Sequence, residues 1–391
     1  MATVRSGTKG QKTKCALALS RLSENNECKS EIVALDGIPV LIKLLRTGNG
    51  AQKECAVSAL FILSDNAENQ DAIVAGGRIP LVVKLIQLSN EITYAVRALD
   101  AFSANEKSQD VTGAADGSIV RLVQLVCGRN GTRKEHAARI LMNLSMSSAN
   151  VVRITRARGI RPLVALLKMD SLSIKSIALG TLANLAKDTK THDAIGSSDG
   201  ISECATLVYA GTDDQKLTAL AILKEDRLKT AIATPGVTPA LVQLISHENN
   251  NLKQRAVLVL NDLCPHLDPA AVRIAGGIQP LVTMLRAALM REEEGIEFRR
   301  EIITRLLGLL LQDPENIEAV AATGVIPDLV SYLRDGTWFE QMFAAQALTS
   351  LSLNDANKQE IVSAGGIPPL LELTRSGSAI HKPFAATVYP V

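Results

Sequence analysis

The sequence predicts an all-α solenoid, and three observations predict it. A Gly-Gly-Ile-Pro-Pro-Leu-Leu-Glu-Leu stretch at residues 365–373 recurs in degraded form along the chain. Its first position is held by Asp36, Gly77, Gly117, Arg158, Asp199, Gly236, Gly276, Gly324 and Gly365, at steps of 41, 40, 41, 41, 37, 40, 48 and 41 residues. A leucine recurs once per period, at Leu19, Leu60, Leu99, Leu141, Leu182, Leu223, Leu260, Leu307 and Leu348. Repeats of this length are supersecondary units that bury their apolar faces only by stacking on neighbours.

Composition points the same way. The chain is 47% hydrophobic but only 3% aromatic, so Leu, Ala, Ile and Val carry the packing, as suits closely stacked helices. At 391 residues a globular chain would divide into domains, whereas an array lengthens without enlarging any one core. The expectation is a single array over 1–391, with an incomplete repeat at 1–35, eight repeats over 36–364 and a truncated one at 365–391. Exposed apolar faces at its ends would favour self-association.

Three helical segments are expected in each repeat. A short first helix is visible in Glu68 to Ala75 and in Asn357 to Ala364. The glycine pair that follows supplies the left-handed backbone a helix C-terminus needs, and the proline after it is tolerated in the first turn of the second helix. Leu81, Val82, Leu85 and Ile86 mark that helix's buried stripe. The third helix is the longest. Its recurring alanine (Ala56, Ala95, Ala137, Ala178, Ala219, Ala256, Ala344), the recurring leucine and the apolar residue three beyond that leucine follow i, i+4, i+7 spacing and face the core. The residue two beyond the leucine forms a column of Arg21, Ile62, Ala101, Asn143, Asn184, Glu225, Asp262, Leu309 and Ser350. With the positions four and seven before it, this column turns away from the buried stripe.

Two repeats break the rhythm. In the one starting at Asp199, four residues are missing after Glu225, and the third helix is expected to run on into Asp226-Arg227-Leu228-Lys229. In the one starting at Gly276, seven extra residues lie around Arg286 to Arg300; they predict a solvated loop or a longer second helix, or else a flap selecting a partner.

The three-helix unit of about 41 residues, the Gly-Gly-Ile-Pro-x-Leu-Val-x-Leu-Leu pattern, and third helices ending Met142-Asn143-Leu144-Ser145 and Ala183-Asn184-Leu185-Ala186 resemble the armadillo-repeat family over almost the whole chain. The glycine turn and separate short helix argue against a HEAT-type pair. The resemblance implies a right-handed superhelix of about nine repeats whose third helices line a concave groove. It also implies that asparagines in the column hold the backbone of an extended peptide, since an amide both donates to C=O and accepts from N–H. Only Asn143 and Asn184 match the family residue; Glu225 and Asp262 continue a polar run, while Ile62, Ala101 and Leu309 cannot serve. Arg97 and Arg139 stand four residues before their column positions, and Tyr94, His136 and Arg255 seven before. Arg97 and Arg139 would favour acidic side chains at that end, and the carboxylates basic ones.

The importin-α branch carries tryptophan four residues before the asparagine, and no aromatic stands there in this chain, so a nuclear transport receptor is the least favoured reading. The chain is more similar to vacuolar, plant and protist armadillo adaptors or to catenin arrays. The expected function is a non-catalytic scaffold or adaptor binding an extended or helical segment of a partner protein. The alternative is the substrate-recognition array of a larger protein such as an armadillo-type ubiquitin ligase. Trp338 is expected to pack ahead of the last full third helix.

Other classes lack their signatures. There is no phosphate loop, His-Glu-x-x-His, GxSxG or metal-spaced cysteine set, so no enzymatic activity, cofactor or metal is expected. His136, His192, His247, His266 and His381 are expected at surfaces or caps, without regular carboxylate partners. Forty-two basic against 40 acidic residues give a net charge of +2, which with few aromatics argues against nucleic acid. No apolar run reaches the length of a spanning helix, no signal peptide is visible, and the six spread cysteines read as packing residues of a reducing compartment. A cytoplasmic or nuclear location is expected.

Overall fold

The computed structural model describes residues 7–63, 79–88, 92–225, 236–263, 266–289 and 296–376. They form 25 α-helices and one short 3-10 turn, with no strand among them. Two compact units, Met1–Glu203 and Cys204–Val391, are each built from stacked three-helix repeats, and their boundary falls within the helix Gly200–Ala210.

In the first unit the helices are α1 (Lys9–Leu22), α2 (Asn26–Ala34), α3 (Gly37–Thr47), α4 (Gly50–Leu63), α5 (Ile79–Leu88), α6 (Ile92–Ser103), α7 (Glu106–Ala114), α8 (Ser118–Cys127), α9 (Gly131–Leu144), α10 (Ser148–Arg156), α11 (Ile160–Leu167), α12 (Leu172–Ala186) and α13 (His192–Gly196). The third helices α1, α4, α6, α9 and α12 stack on one another in that order. Second helices α3, α5, α8 and α11 pack against the third helix that follows each. In the second unit, after α14 (Gly200–Ala210), come α15 (Asp213–Leu223), α16 (Val237–Ile245), α17 (Asn250–Leu263), α18 (Pro269–Ile274), α19 (Ile278–Leu289), α20 (Ile296–Leu310), α21 (Pro314–Ala321), α22 (Ile326–Asp335), α23 (Trp338–Leu351), α24 (Asp355–Ser363) and α25 (Ile367–Ser376). There α15, α17, α20 and α23 form the stack of third helices.

The two small-and-large columns read from the sequence form the core of both units. All seven alanines are at most 3% exposed, and every recurring leucine from Leu60 to Leu348 is buried. Leu19, in α1, is half-buried. Alanine at the contact lets neighbouring third helices approach, and leucine fills the space between them. In α5, Val82 and Ile86 are buried as the stripe requires; the side chains of Leu81 and Leu85 lie outside the described set.

Turns follow local chemistry. The first-to-second-helix turn takes one residue with positive φ, a glycine at 117, 236, 276, 324 and 365 but Asp36 (57°), Arg158 (56°) and Asp199 (62°) elsewhere. The second-to-third turn is tight enough that a Cβ on Gly336 would stand 2.4 Å from the Tyr332 carbonyl oxygen. Thr337 and Glu340 then form a capping box on α23.

A further device ties the ends of four third helices to the segment that follows each. Thr191 Oγ1 donates to the Leu185 carbonyl at 2.7 Å, Asn316 Nδ2 to that of Leu310 at 2.8 Å, and Asn357 Nδ2 to that of Leu351 at 3.0 Å. Ser108 Oγ donates likewise to Phe102. In all four the side chain stands six residues past the carbonyl, which is one of the groups a helix C-terminus leaves without an internal partner.

Three expectations change. The third helix of the shortened repeat does not run on: α15 stops at Leu223, because the Lys224 and Glu225 amides tighten onto the Leu220 and Ile222 carbonyls. Glu225 therefore stands past the helix rather than on it, and residues 226–229 lie outside the described set. Three of the histidines differ from the expectation of unpartnered surface groups, while His266 is exposed. His192 is buried, with Nε2 2.7 Å from the Ala186 carbonyl oxygen, while His136 and His247 each have an aspartate partner. Cys204 is a buried packing residue, but Cys127, the last residue of α8, is exposed.

In the longer repeat, α19 extends to Leu289, and Arg286 near its end reaches Asp328 Oδ2 at 2.8 Å and the Thr323 and Gly324 carbonyls at 3.0 and 2.7 Å. Residues 290–295, including the charged part of the insert, lie outside the described set, as do Glu68 to Ala75 and the C-terminal residues 377–391. Trp338 is the first residue of α23 itself and meets Phe339 edge to face at 4.7 Å.

Candidate functional site on the third helices of the first unit

The column predicted to meet a partner divides between the two units. In the first, Asn143 and Asn184 occupy matching positions near the ends of the stacked helices α9 and α12, and both are half-buried. Neither is unoccupied. Asn143 Nδ2 donates to Ser103 Oγ at 2.9 Å, and Asn184 Nδ2 to Ser145 Oγ at 3.0 Å, so each amide is tied to the serine two residues past the column in the preceding repeat. Those serines in turn donate to the Asp100 and Met142 carbonyls at 2.7 and 2.6 Å, which fixes the hydroxyl oxygen as an acceptor. Asn184 also lies 3.2 Å from Met146 Sδ and 3.4 Å from Lys187 Nζ. Asn143 thus spends one donor on its neighbour and presents its remaining groups from a fixed side chain, whereas Asn184 is further engaged by Met146 and Lys187 at its exposed end.

The flanking cations are engaged too. Asp100, one residue before the column, is 8% exposed and accepts the ion pairs of two groups on α9. His136 Nδ1 stands 2.7 Å from its Oδ2, and Arg139 Nε stands 3.3 Å from the same oxygen; Arg139 Nη2 also bonds Glu135 Oε1 at 3.1 Å. Asp100 Oδ1 is buried without a hydrogen-bond partner. Arg97 lies over the Phe61 ring at 4.9 Å from its centroid. The expected free basic pair is therefore a set of cations already held by a carboxylate and a ring, and their pull on an acidic ligand is reduced. Tyr94 belongs to α6, with its side chain outside the described set.

In the second unit Asp262 is exposed on α17, and Arg255, seven residues before it, is exposed with Nε 3.1 Å from Asn251 Oδ1. Glu225 is half-buried beyond the end of α15. The sequence reading missed Asp100 and Ser103, which stand beside the column position Ala101 rather than in it. A search for polar residues one before and two after the column would have found both.

Among the described residues no helix is long and apolar enough to cross a membrane, and no cluster of three metal-ligating side chains occurs.

Comparison with known proteins places these repeats. Residues 147–187 match the family model described as Armadillo/beta-catenin-like repeat. The chain is 27% identical over 199 residues to U-box domain-containing protein 8 of Arabidopsis thaliana, covering 49% of this chain and 51% of that one. It is 28% identical over 180 residues to Vacuolar protein 8 of Candida albicans, covering 44% of this chain and 30% of the relative. The matched region therefore spans about half of the first relative and under a third of the second. The crystal structure of an engineered protein superposes with a TM-score of 0.69 at 24% identity, over 96% of this chain and 93% of that one. That likeness is one of fold. The matched repeat contains α10, α11 and α12, ends just past Asn184, and has the same three-helix plan as its neighbours; residues 147–187 are thus similar to an armadillo repeat, and the repeats around them share its helical plan.

Proposed function

We infer that the chain is a protein-binding scaffold, and that the third-helix face of its first unit takes an extended segment of a partner protein. The observation that carries this reading is the pair Asn143 and Asn184, presented by adjacent helices at one position of the repeat and held in place by Ser103 and Ser145. Amides repeated at the spacing of stacked helices bind a peptide main chain without reading its sequence. A cytoplasmic or nuclear setting and a non-catalytic role go with this reading.

The test is affinity capture from cell extract with the native chain and with Asn143→Ala/Asn184→Ala, after circular dichroism shows equal helicity. Proteins retained by the native chain and lost from the variant support the face as the working surface; identical sets overturn it.

A second reading, the recognition array of a ubiquitin ligase, is favoured by the similarity to a protein named for its U-box. It predicts that the partners captured through Asn143 and Asn184 are ubiquitinated when the array is fused to an active U-box, and unmodified when the fusion carries the alanine pair.

A further inference from the structure

The longest break in charge balance lies away from the third-helix face. No aspartate or glutamate occurs from His136 to Met169, and within that span Arg153, Arg156, Arg158 and Arg161 crowd the end of α10, the turn and the start of α11. Arg156, Arg158 and Arg161 are exposed and form no ion pair among the described residues. The acids at the corresponding place in the next repeat are not theirs: Asp199 and Glu203 pair with Lys168 at 3.7 and 3.4 Å.

Local structure accounts for only half of this cluster. Arg153 bonds Asn150 Oδ1 at 2.8 Å, and Arg153 and Arg156 both stand in the last turn of α10, where a cation complements the helix dipole. Arg158 and Arg161 do the opposite. Arg158 has φ 56° at a position where six other repeats carry glycine, and Arg161 stands in the first turn of α11, the end at which a cation is disfavoured. Side chains that break local preference without a compensating contact mark a surface under another requirement. Val120, at the position matching Arg161 on the stacked helix α8, is 51% exposed, so the cluster borders an apolar residue.

We propose that this edge of the first unit binds an acidic protein segment, rich in Asp and Glu and carrying an apolar side chain for Val120. Planar guanidinium groups pair carboxylates in two-pronged fashion. The patch is confined to one repeat of a chain with net charge +2 and has no aromatic within 153–161 to stack a base, which favours a peptide over nucleic acid or an anionic bilayer.

The experiment titrates the full chain into a fluorescein-labelled acidic peptide containing one leucine, its Asn/Gln counterpart, single-stranded RNA, and vesicles of phosphatidylserine with phosphatidylcholine. The acidic peptide should bind, weaken as salt rises, and weaken at least tenfold in Arg156→Gln/Arg158→Gly/Arg161→Gln. Asn143→Ala/Asn184→Ala should leave it unchanged, which separates this site from the third-helix face. Because Arg158→Gly relieves the backbone, the triple variant should fold, and Arg161→Glu alone serves as a second probe at an exposed position. Equal binding of the neutral peptide, indifference to both variants, or arginine-dependent binding of RNA or vesicles without the peptide would overturn the proposal.

Discussion

Asn143 and Ser103 stand 40 residues apart in the chain and one repeat apart in the stack, with amide and hydroxyl 2.9 Å from each other. Through this bond a surface position of one repeat depends on the end of the third helix before it. Removing Ser103 takes the partner from a half-buried amide, and removing Asn143 takes the donor from a buried hydroxyl that still donates to the Asp100 carbonyl.

A double-mutant cycle of Asn143→Ala and Ser103→Ala should therefore show coupling of about 0.5–1.5 kcal/mol in urea denaturation. Asn143→Ala paired with Asn25→Ala, the N-cap of α2 several repeats away, should be additive within about 0.5 kcal/mol. Additivity in the first pair would show that the bond holds nothing in solution.

Asn316 is fully buried and serves three groups. Its Nδ2 donates to the Leu310 carbonyl at 2.8 Å and the Pro269 carbonyl at 3.3 Å, and its Oδ1 accepts from Arg273 Nε at 2.9 Å. Asn316→Ala should cost about 1–3 kcal/mol, because the Leu310 carbonyl keeps only the longer bond from the Asp313 amide and the Pro269 carbonyl and Arg273 Nε lose this partner in the interior. Asn26→Ala, at the exposed start of α2, should change the same melting measurement by less than about 0.5 kcal/mol.

The pH dependence of the second unit should carry the mark of Glu301. Burial raises its pKa above the ordinary 4.5, Arg305 opposes this, and Glu340 adds to it. A carboxyl with a raised pKa in the folded state stabilises the fold only while protonated, so its contribution is lost as pH rises through the folded value. Glu301→Gln should accordingly raise the melting temperature at pH 7, and the gain should vanish as pH falls below about 4.5. A gain that persists in acid would assign the effect to packing instead.

Where side chains repeat at one position, the architecture was legible. The alanine and leucine columns require only a count and a helical period, and the structure buries them as that count implies. Partnerships between different positions of successive repeats were not legible. His136 finds Asp100 across 36 residues, and nothing in either helix alone marks the aspartate as buried. The end of α15 was misread for a related reason: the residues after Leu223 are polar enough to continue a helix, but the Glu225 amide turns back on the carbonyl three residues earlier. Arg286 looked like part of a charged insert, yet its guanidinium closes the turn of the next repeat.

The side chains that close four of the third helices also change what counts as one cooperative piece. Asn316 holds α20, α18 and its own helix α21 at once, so α21 cannot melt without releasing carbonyls in the repeat before it. Opening then proceeds by blocks larger than the 41-residue period, and amide exchange in the second unit should report protection shared between neighbouring repeats rather than a separate value for each.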